Sequence, residues 1–175
     1  MAGVGGRGVL LAGLLFVRAG SQRYQHVSWM PSYSAAMRGG PCEATVILSD
    51  TPISSPMLVK SQSLIIMESS QLGRYVDRVR RGGLLITESA GLRDKVARDD
   101  IQAVYLPAIE KSVELGDVRV SNLILLGAYI KLSGAIAPEL IEAELERRMG
   151  GASRQELLAT NKKALRLGME LVAQG

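Results

Sequence analysis

The sequence predicts an α/β fold: three layers, α/β/α, around a largely parallel or mixed central sheet, with a helical C-terminal part. Three observations carry this. Apolar strand-like runs alternate with helical stretches through the middle of the chain, which is the pattern of βαβ units. Leu64-Ile65-Ile66-Met67 is continuously apolar, as expected of a strand buried on both faces in a parallel sheet. From Ile109 onward the pattern is mostly helical, punctuated by Gly134, Gly150 and Gly151.

The elements follow in order. Gly3 to Gly8 reads GVGGRG, a match to G-x-G-x-x-G, and the run VLLAGLLFVRAG after it has the length and apolar face of a buried helix ending near Gly20. Only Met1 and Ala2 precede the motif, so the strand that should lead into it is missing or cut short. Gln25–Met30 and Glu43–Ser49 read as strands, separated by a loop ending in Met37-Arg38-Gly39-Gly40. Ser63–Glu68 is the doubly buried strand. Ser70–Arg81 reads as a helix closed by Gly82-Gly83, leading into the strand Leu84–Thr87. Ser89–Asp100 is polar, a loop or short helix, and Ile101–Pro107 gives one more strand. Asn122–Leu132 is apolar nearly all round with Gly127 inside it, hence a buried helix that allows close approach on one side. Pro138 opens the next helix at its first position. Ser153-x-x-Glu156 is a capping box for the last helix, which runs towards Ala173. With no internal repeat, low-complexity tract or linker, one domain over 1–175 is expected.

Composition excludes several functions. Aromatic residues make up 4%, too few for base stacking along single strands, and a net charge of +4 favours anionic partners only weakly. Neither a nucleic-acid nor a membrane partner is expected. Arg78, Arg80 and Arg81 form the densest basic group and fall where the predicted helix ends, which suits its dipole. The apolar run Val9–Val17 after Arg7 could pass for a secretory signal. It is too short to span a bilayer and Arg18 interrupts it, so a cytoplasmic protein is expected. Cys42 is the one cysteine and His26 the one histidine. A disulfide, a four-thiolate cluster and the Ser-His-Asp or Cys-His arrangements are thereby ruled out for the chain by itself, and most metal sites with them. His26 is expected on a strand, held by a hydrogen bond.

Two stretches carry chemistry. The amides of Gly5, Gly6, Arg7 and Gly8 at a helix start could cradle an anion, or the same glycines could let the helix pack tightly on the sheet. No carboxylate appears before Glu43 to hold a ribose, which weakens a dinucleotide reading. The second stretch is Pro31–Pro56, with Ser32 and Tyr33 leading to Arg38, Gly39 and Gly40. A guanidinium is a planar fork suited to carboxylate or phosphate, and the glycine pair leaves room for a ligand to approach. The plain alternative is a surface arginine before a turn.

Taken together, GVGGRGVLLAG, the Pro31-Ser32-Tyr33 loop with Met37-Arg38-Gly39-Gly40, Ile53-Ser54-Ser55-Pro56, RRGGLLITES, the Asn122 helix and the Asn161-x-x-Ala164-x-x-x-Gly168 pattern resemble the gamma subunit, or gamma domain, of 2-oxoacid:ferredoxin oxidoreductases. The resemblance covers nearly the whole chain and is closest to the 2-oxoglutarate branch. It implies oxidative decarboxylation of a 2-oxoacid with coenzyme A to acyl-CoA and carbon dioxide, electrons passing to ferredoxin. It further implies that thiamine diphosphate with its Mg ion, and the iron-sulfur clusters, sit on partner alpha, beta and, in some complexes, delta subunits. This chain is then a required, non-catalytic part that covers the active site and contributes to coenzyme A or substrate binding. Two departures stand out: Ser34-Ala35-Ala36 where members usually carry Gly-Pro-Glu, and Arg7 where glutamine is frequent. Two other readings compete: a stand-alone nucleotide-binding protein using the glycine loop, and a homodimer without ligand joined through apolar C-terminal helices.

Overall fold

A computed structural model describes residues 1–34, 39–149, 151 and 154–173. The six strands are β1 (Ala2–Val4), β2 (His26–Tyr33), β3 (Pro41–Ser49), β4 (Ser61–Ile66), β5 (Val79–Glu88) and β6 (Gln102–Leu106). They form one mixed sheet in the order β2-β3-β1-β4-β5-β6. β3 is antiparallel to both its neighbours, and the β1-β4, β4-β5 and β5-β6 pairs are parallel. Five strands therefore point one way and β3 the other.

The strand leading into the glycine motif is present, and it takes Gly3 and Val4 from the motif itself. Short as it is, it lies mid-sheet, where Ala2 faces Glu43 on one side and Ile66 on the other. Helix α1 (Val9–Gly20) follows with the expected bounds. It lies flat on the β2-β3 pair because Gly13 meets Ala44 and Trp29 where a side chain would not fit.

The predicted helix over 70–81 is broken into pieces. A 3-10 turn at Ser69–Gln71, the single-turn α2 (Leu72–Tyr75) and a second 3-10 turn at Val76–Arg78 give way to β5 already at Val79. Arg80 and Arg81 thus lie on a strand, not at a helix terminus. Burial decides this: Val79 is fully buried and pairs with Ser61. The register then slips between Ser61 and Ser63 so that Gly82 can turn with φ 69° and donate its amide to Asp100 O at 2.7 Å. These pieces and the Ser89–Asp100 loop form the thin outer layer. Leu72, Tyr75 and Val79 pack there on Ala2, Leu64, Ile66 and Leu85.

The thick layer holds α1, α3 (Ala108–Glu114), α4 (Ser121–Ser133), α5 (Pro138–Met149) and α6 (Gln155–Ala173). α4 is its centre: Leu123, Ile124, Leu126 and Ala128 are fully buried. α4 and α6 cross where Gly127 faces the Leu165 carbonyl and Gly168 faces the Ile124 carbonyl, and a Cβ at either glycine would collide with that backbone. α5 is tied to α6 by Arg166, whose guanidinium donates to both oxygens of Glu142 at 2.7 and 2.9 Å. Ser153, the proposed cap of α6, lies outside the described residues. Among the described residues, no helix is long and apolar enough to cross a membrane.

Candidate functional site

Because β3 runs against β1, the start of β3 lies beside the end of β1, and the two glycine stretches meet there. Gly5 N donates to Gly40 O at 2.9 Å and Gly39 N to Gly5 O at 3.4 Å. Between them opens a cleft of about 580 Å³ lined by Val4, Gly5, Gly6 and Gly8, the first turn of α1 with Leu10 and Leu11, and Tyr33, Gly40, Pro41 and Cys42 from the hairpin. It sits at the carboxyl end of the central strand, next to the point where the chain's connections diverge to the two halves of the sheet. Open α/β sheets bind ligands at such a place.

The motif glycines divide their work. Gly3 is held by packing, since a side chain there would press on Val9 and Met67, and Gly8 has no room beside Asn122, whose Nδ2 donates to Gly8 O at 3.2 Å. Gly6 is different: its φ is 96° and nothing lies within 4 Å of where its Cβ would be. Its backbone is bare towards the cleft. The tight-packing reading of the loop therefore holds for Gly3 and Gly8, while Gly6 leaves open space beside the cleft. The amides of Gly5 and Arg7 are used internally, the latter by Val4 O at 3.2 Å. The first-turn amides of α1 have no intrahelical acceptor by position, and the helix dipole adds positive character there.

Of the other predicted residues, Tyr33 lines the cleft and is 67% exposed. Ser32 is exposed and, one residue earlier on the strand, turns to the other face. Arg7 does not reach into the cleft: its Nε and Nη2 hold Glu68 Oε2 at 3.1 and 3.0 Å, across to the end of β4. Gly39 makes the turn with φ 76°. Arg38 lies outside the described residues, as does the Ala35-Ala36 part of the departure noted above.

Sequence reasoning missed the apolar wall. Leu10 and Leu11 are only half-buried on a helix that is otherwise largely core, and nothing in the continuous apolar run VLLAGLLFVRAG sets them apart from its buried members. Cys42 was noted as a lone thiol but not as part of the lining. Burial, with Glu43 adding to it, pushes its thiol above the usual value and so away from the reactive thiolate. Among the described lining residues there is no carboxylate, imidazole or amine to move a proton. The cleft can hold an anion at its amide end and an apolar chain along its wall.

The fold and cleft define a class: an α/β domain with a glycine-loop cleft at the carboxyl end of its central strand. Comparison with known proteins narrows it. The family model for pyruvate ferredoxin/flavodoxin oxidoreductase matches residues 1–171. "2-oxoglutarate synthase subunit KorC" of Methanocaldococcus jannaschii is 30% identical over 166 residues, covering 93% of this chain and 89% of that one. "Ketoisovalerate oxidoreductase subunit VorA" of Methanothermobacter marburgensis is 31% identical over 132 residues, 75% of this chain but only 27% of that protein. The gamma subunit of a keto/oxoacid ferredoxin oxidoreductase from Geobacter sulfurreducens superposes with a TM-score of 0.81 at 26% identity, covering 99% of this chain and 94% of that one. A 2-oxoglutarate:ferredoxin oxidoreductase from Magnetococcus marinus, solved with 2-oxoglutarate, coenzyme A and succinyl-CoA bound, shares the fold at a TM-score of 0.89 and 20% identity over 30% of its chain. This chain belongs to the pyruvate ferredoxin/flavodoxin oxidoreductase family, as a gamma-type subunit of the 2-oxoacid:ferredoxin oxidoreductases.

A metal-held group finds no donor set among this chain's described residues. Among the described residues no three His, Cys, Asp or Glu side chains gather to hold a metal, and the one thiol is buried.

Proposed function

We propose that the 175 residues form one gamma domain of a cytoplasmic 2-oxoacid:ferredoxin oxidoreductase of the 2-oxoglutarate branch. It binds and orients; the decarboxylation and electron transfer belong to alpha and beta partners. The observation that carries this is the cleft itself, which joins the two glycine stretches and offers amides and apolar wall but, among its described lining residues, no acid or base. A coenzyme A phosphate or a substrate carboxylate suits the amide end, and Arg38 is the side chain we assign to that anion. Tyr33, Leu10 and Leu11 then cover an apolar portion of the ligand and exclude water from it.

The test is co-expression with the partner subunits and measurement of 2-oxoacid- and coenzyme A-dependent reduction of a viologen dye. Activity greatest with 2-oxoglutarate supports the reading; activity confined to another 2-oxoacid removes the branch assignment, and none removes the function. Arg38→Ala is expected to raise the KM of one anionic substrate tenfold to a hundredfold, a charge-assisted contact being worth about 1.5–3 kcal/mol. Unchanged kinetics would rule out an anion contact at Arg38.

A further inference from the structure

The loop Gly5-Gly6-Arg7-Gly8 is glycine at every position but one. Glycine has the most backbone freedom to lose, so a loop of this composition is ordered only when something outside it holds it. Its two ends are held through backbone. At Gly5 the amide donates to Gly40 O at 2.9 Å and the carbonyl accepts from Gly39 N at 3.4 Å. At Gly8 the carbonyl accepts from Ala12 N at 3.0 Å and from Asn122 Nδ2 at 3.2 Å. Asn122 is buried on α4, so that end is fixed to the core. Between the ends lie Gly6 and Arg7. Gly6 has φ 96° and open space where its Cβ would be, and the backbone bond from Arg7 N to Val4 O at 3.2 Å is local.

What reaches the middle of the loop from outside is Glu68. β1 and β4 are parallel neighbours, with Ala2 facing Ile66 and Met67 N donating to Ala2 O at 2.8 Å. Past that bond their chains part. β1 leads through the loop into α1 in the thick layer, and β4 leads through Glu68 into the 3-10 turn Ser69–Gln71 of the thin one. The Arg7 guanidinium spans this parting, with Nε and Nη2 at 3.1 and 3.0 Å from Glu68 Oε2. Both side chains keep some contact with water, at 37% and 21% exposure, and a pair of that kind adds little to global stability. Its leverage is local: two nitrogens on one carboxylate oxygen fix the direction of the arginine and, with it, the turn of the loop that carries it.

We infer that Arg7 and Glu68 are a positioning pair for the cleft: Glu68 holds Arg7 on the β4 side of the loop, which keeps the Gly6 backbone and the first-turn amides of α1 turned to the cleft to receive an anionic group. Arg7 itself touches no ligand; it is absent from the cleft lining that Gly5, Gly6 and Gly8 share. An anion then meets a loop already ordered, and no affinity is lost to ordering it. The contrary arrangement, in which Arg7 leaves Glu68 and swings across the loop to the anion, makes the opposite prediction for removal of Glu68. This inference rests on the cleft being the ligand site of the proposed function.

The test compares Glu68→Ala and Arg7→Met with the parent in two ways. Single-amide hydrogen exchange of the chain reads the loop through the bonded amides at positions 5 and 7, with Leu126 and Ala128 of α4 as controls. Either substitution is expected to speed exchange at positions 5 and 7 about tenfold, equivalent to roughly 1.4 kcal/mol of local opening, and to leave the controls unchanged. Unaltered exchange in the loop, or an equal change in the controls, overturns the inference. Steady-state kinetics of the chain assembled with its partner subunits reads the cleft. The KM for coenzyme A or for the 2-oxoacid is expected to rise about tenfold with kcat within about twofold of the parent. Arg7→Lys, which keeps a cation facing Glu68, should restore KM to within about twofold, and the double variant should be no worse than either single one. A KM unchanged in Glu68→Ala overturns the inference, and a lowered KM does so in favour of Arg7 as a ligand contact. Loosened loop amides in an assembly without 2-oxoacid-dependent activity defeat the proposed function and leave the tether standing; an active assembly with unmoved KM values does the reverse.

Discussion

Gly127→Ala should destabilise the protein although it improves the helix. An alanine in a helix interior is favoured over glycine by about 1 kcal/mol. Against that, the new Cβ meets the Leu165 carbonyl, which is backbone and cannot rotate away. Overpacking of a tight interior costs about 1–3 kcal/mol, and the upper end applies because relief requires α4 and α6 to part along fully buried Ile124, Leu126, Ala164 and Leu165. Subtracting the propensity gain leaves a net loss of roughly 2 kcal/mol, or about 4–8 °C in Tm for a chain of this size. Urea unfolding followed by fluorescence of Trp29, the one tryptophan, measures it, with the slope checked for constancy. Gly73→Ala in α2 is the control: no atom lies within 4 Å of its Cβ position, so the same change should stabilise by about 0.5–1 kcal/mol. A Gly127→Ala midpoint at or above that of the parent would refute the reasoning about the α4-α6 crossing.

Three further outcomes are expected. Glu88 is fully buried and accepts from Ala90 N at 2.7 Å and Ile109 N at 2.8 Å; Glu88→Gln turns an amide donor on one of them and should cost about 1.5–3 kcal/mol in urea unfolding. Tyr33→Ala, at an exposed position, should leave stability unchanged and raise the KM for coenzyme A several-fold in the assembled enzyme, on the order of 1 kcal/mol of lost ring contact. The Arg98 guanidinium, bound bidentately, holds the Asp100 carboxyl below its usual range. A depressed folded pKa contributes stability above the unfolded value that is lost as pH falls through the folded one. Asp100→Asn should therefore be less stable than the parent at pH 7, and the difference should close as pH drops below about 4.

What was legible in the sequence had local causes. α1, the doubly buried β4 and the buried α4 each declared themselves through a run of apolar side chains, and Pro138 marked the start of α5 through its missing amide. The 70–81 segment misled because its helical pattern is real only for a turn or so. Val79 is drawn into β5 by burial against Ala2 and Leu85, a force absent from any local window. The candidate site was half legible for the same reason. Both glycine stretches were recognisable singly, but their union depends on β3 running against β1. Arg7 pairs with a residue 61 positions away, and no spacing rule points to Glu68.

The reversed direction of β3 has a consequence for how this site can change. The β2-β3 ladder runs unbroken from His26-Ser49 to Tyr33-Cys42, and its register is set by alternation of faces along eight pairs. A residue inserted within the ladder would turn a face outward. One inserted between Ser34 and Gly39 falls outside the ladder and leaves all eight pairs in register, and doubling the length of a flexible connection costs about 0.6 kcal/mol in closure entropy. The hairpin thus works as an adjustable jaw on a fixed frame: the wall made by α1 is set by the core, and the chain joining β2 to β3 can change in length without disturbing the strands that carry Tyr33, Pro41 and Cys42 to the cleft.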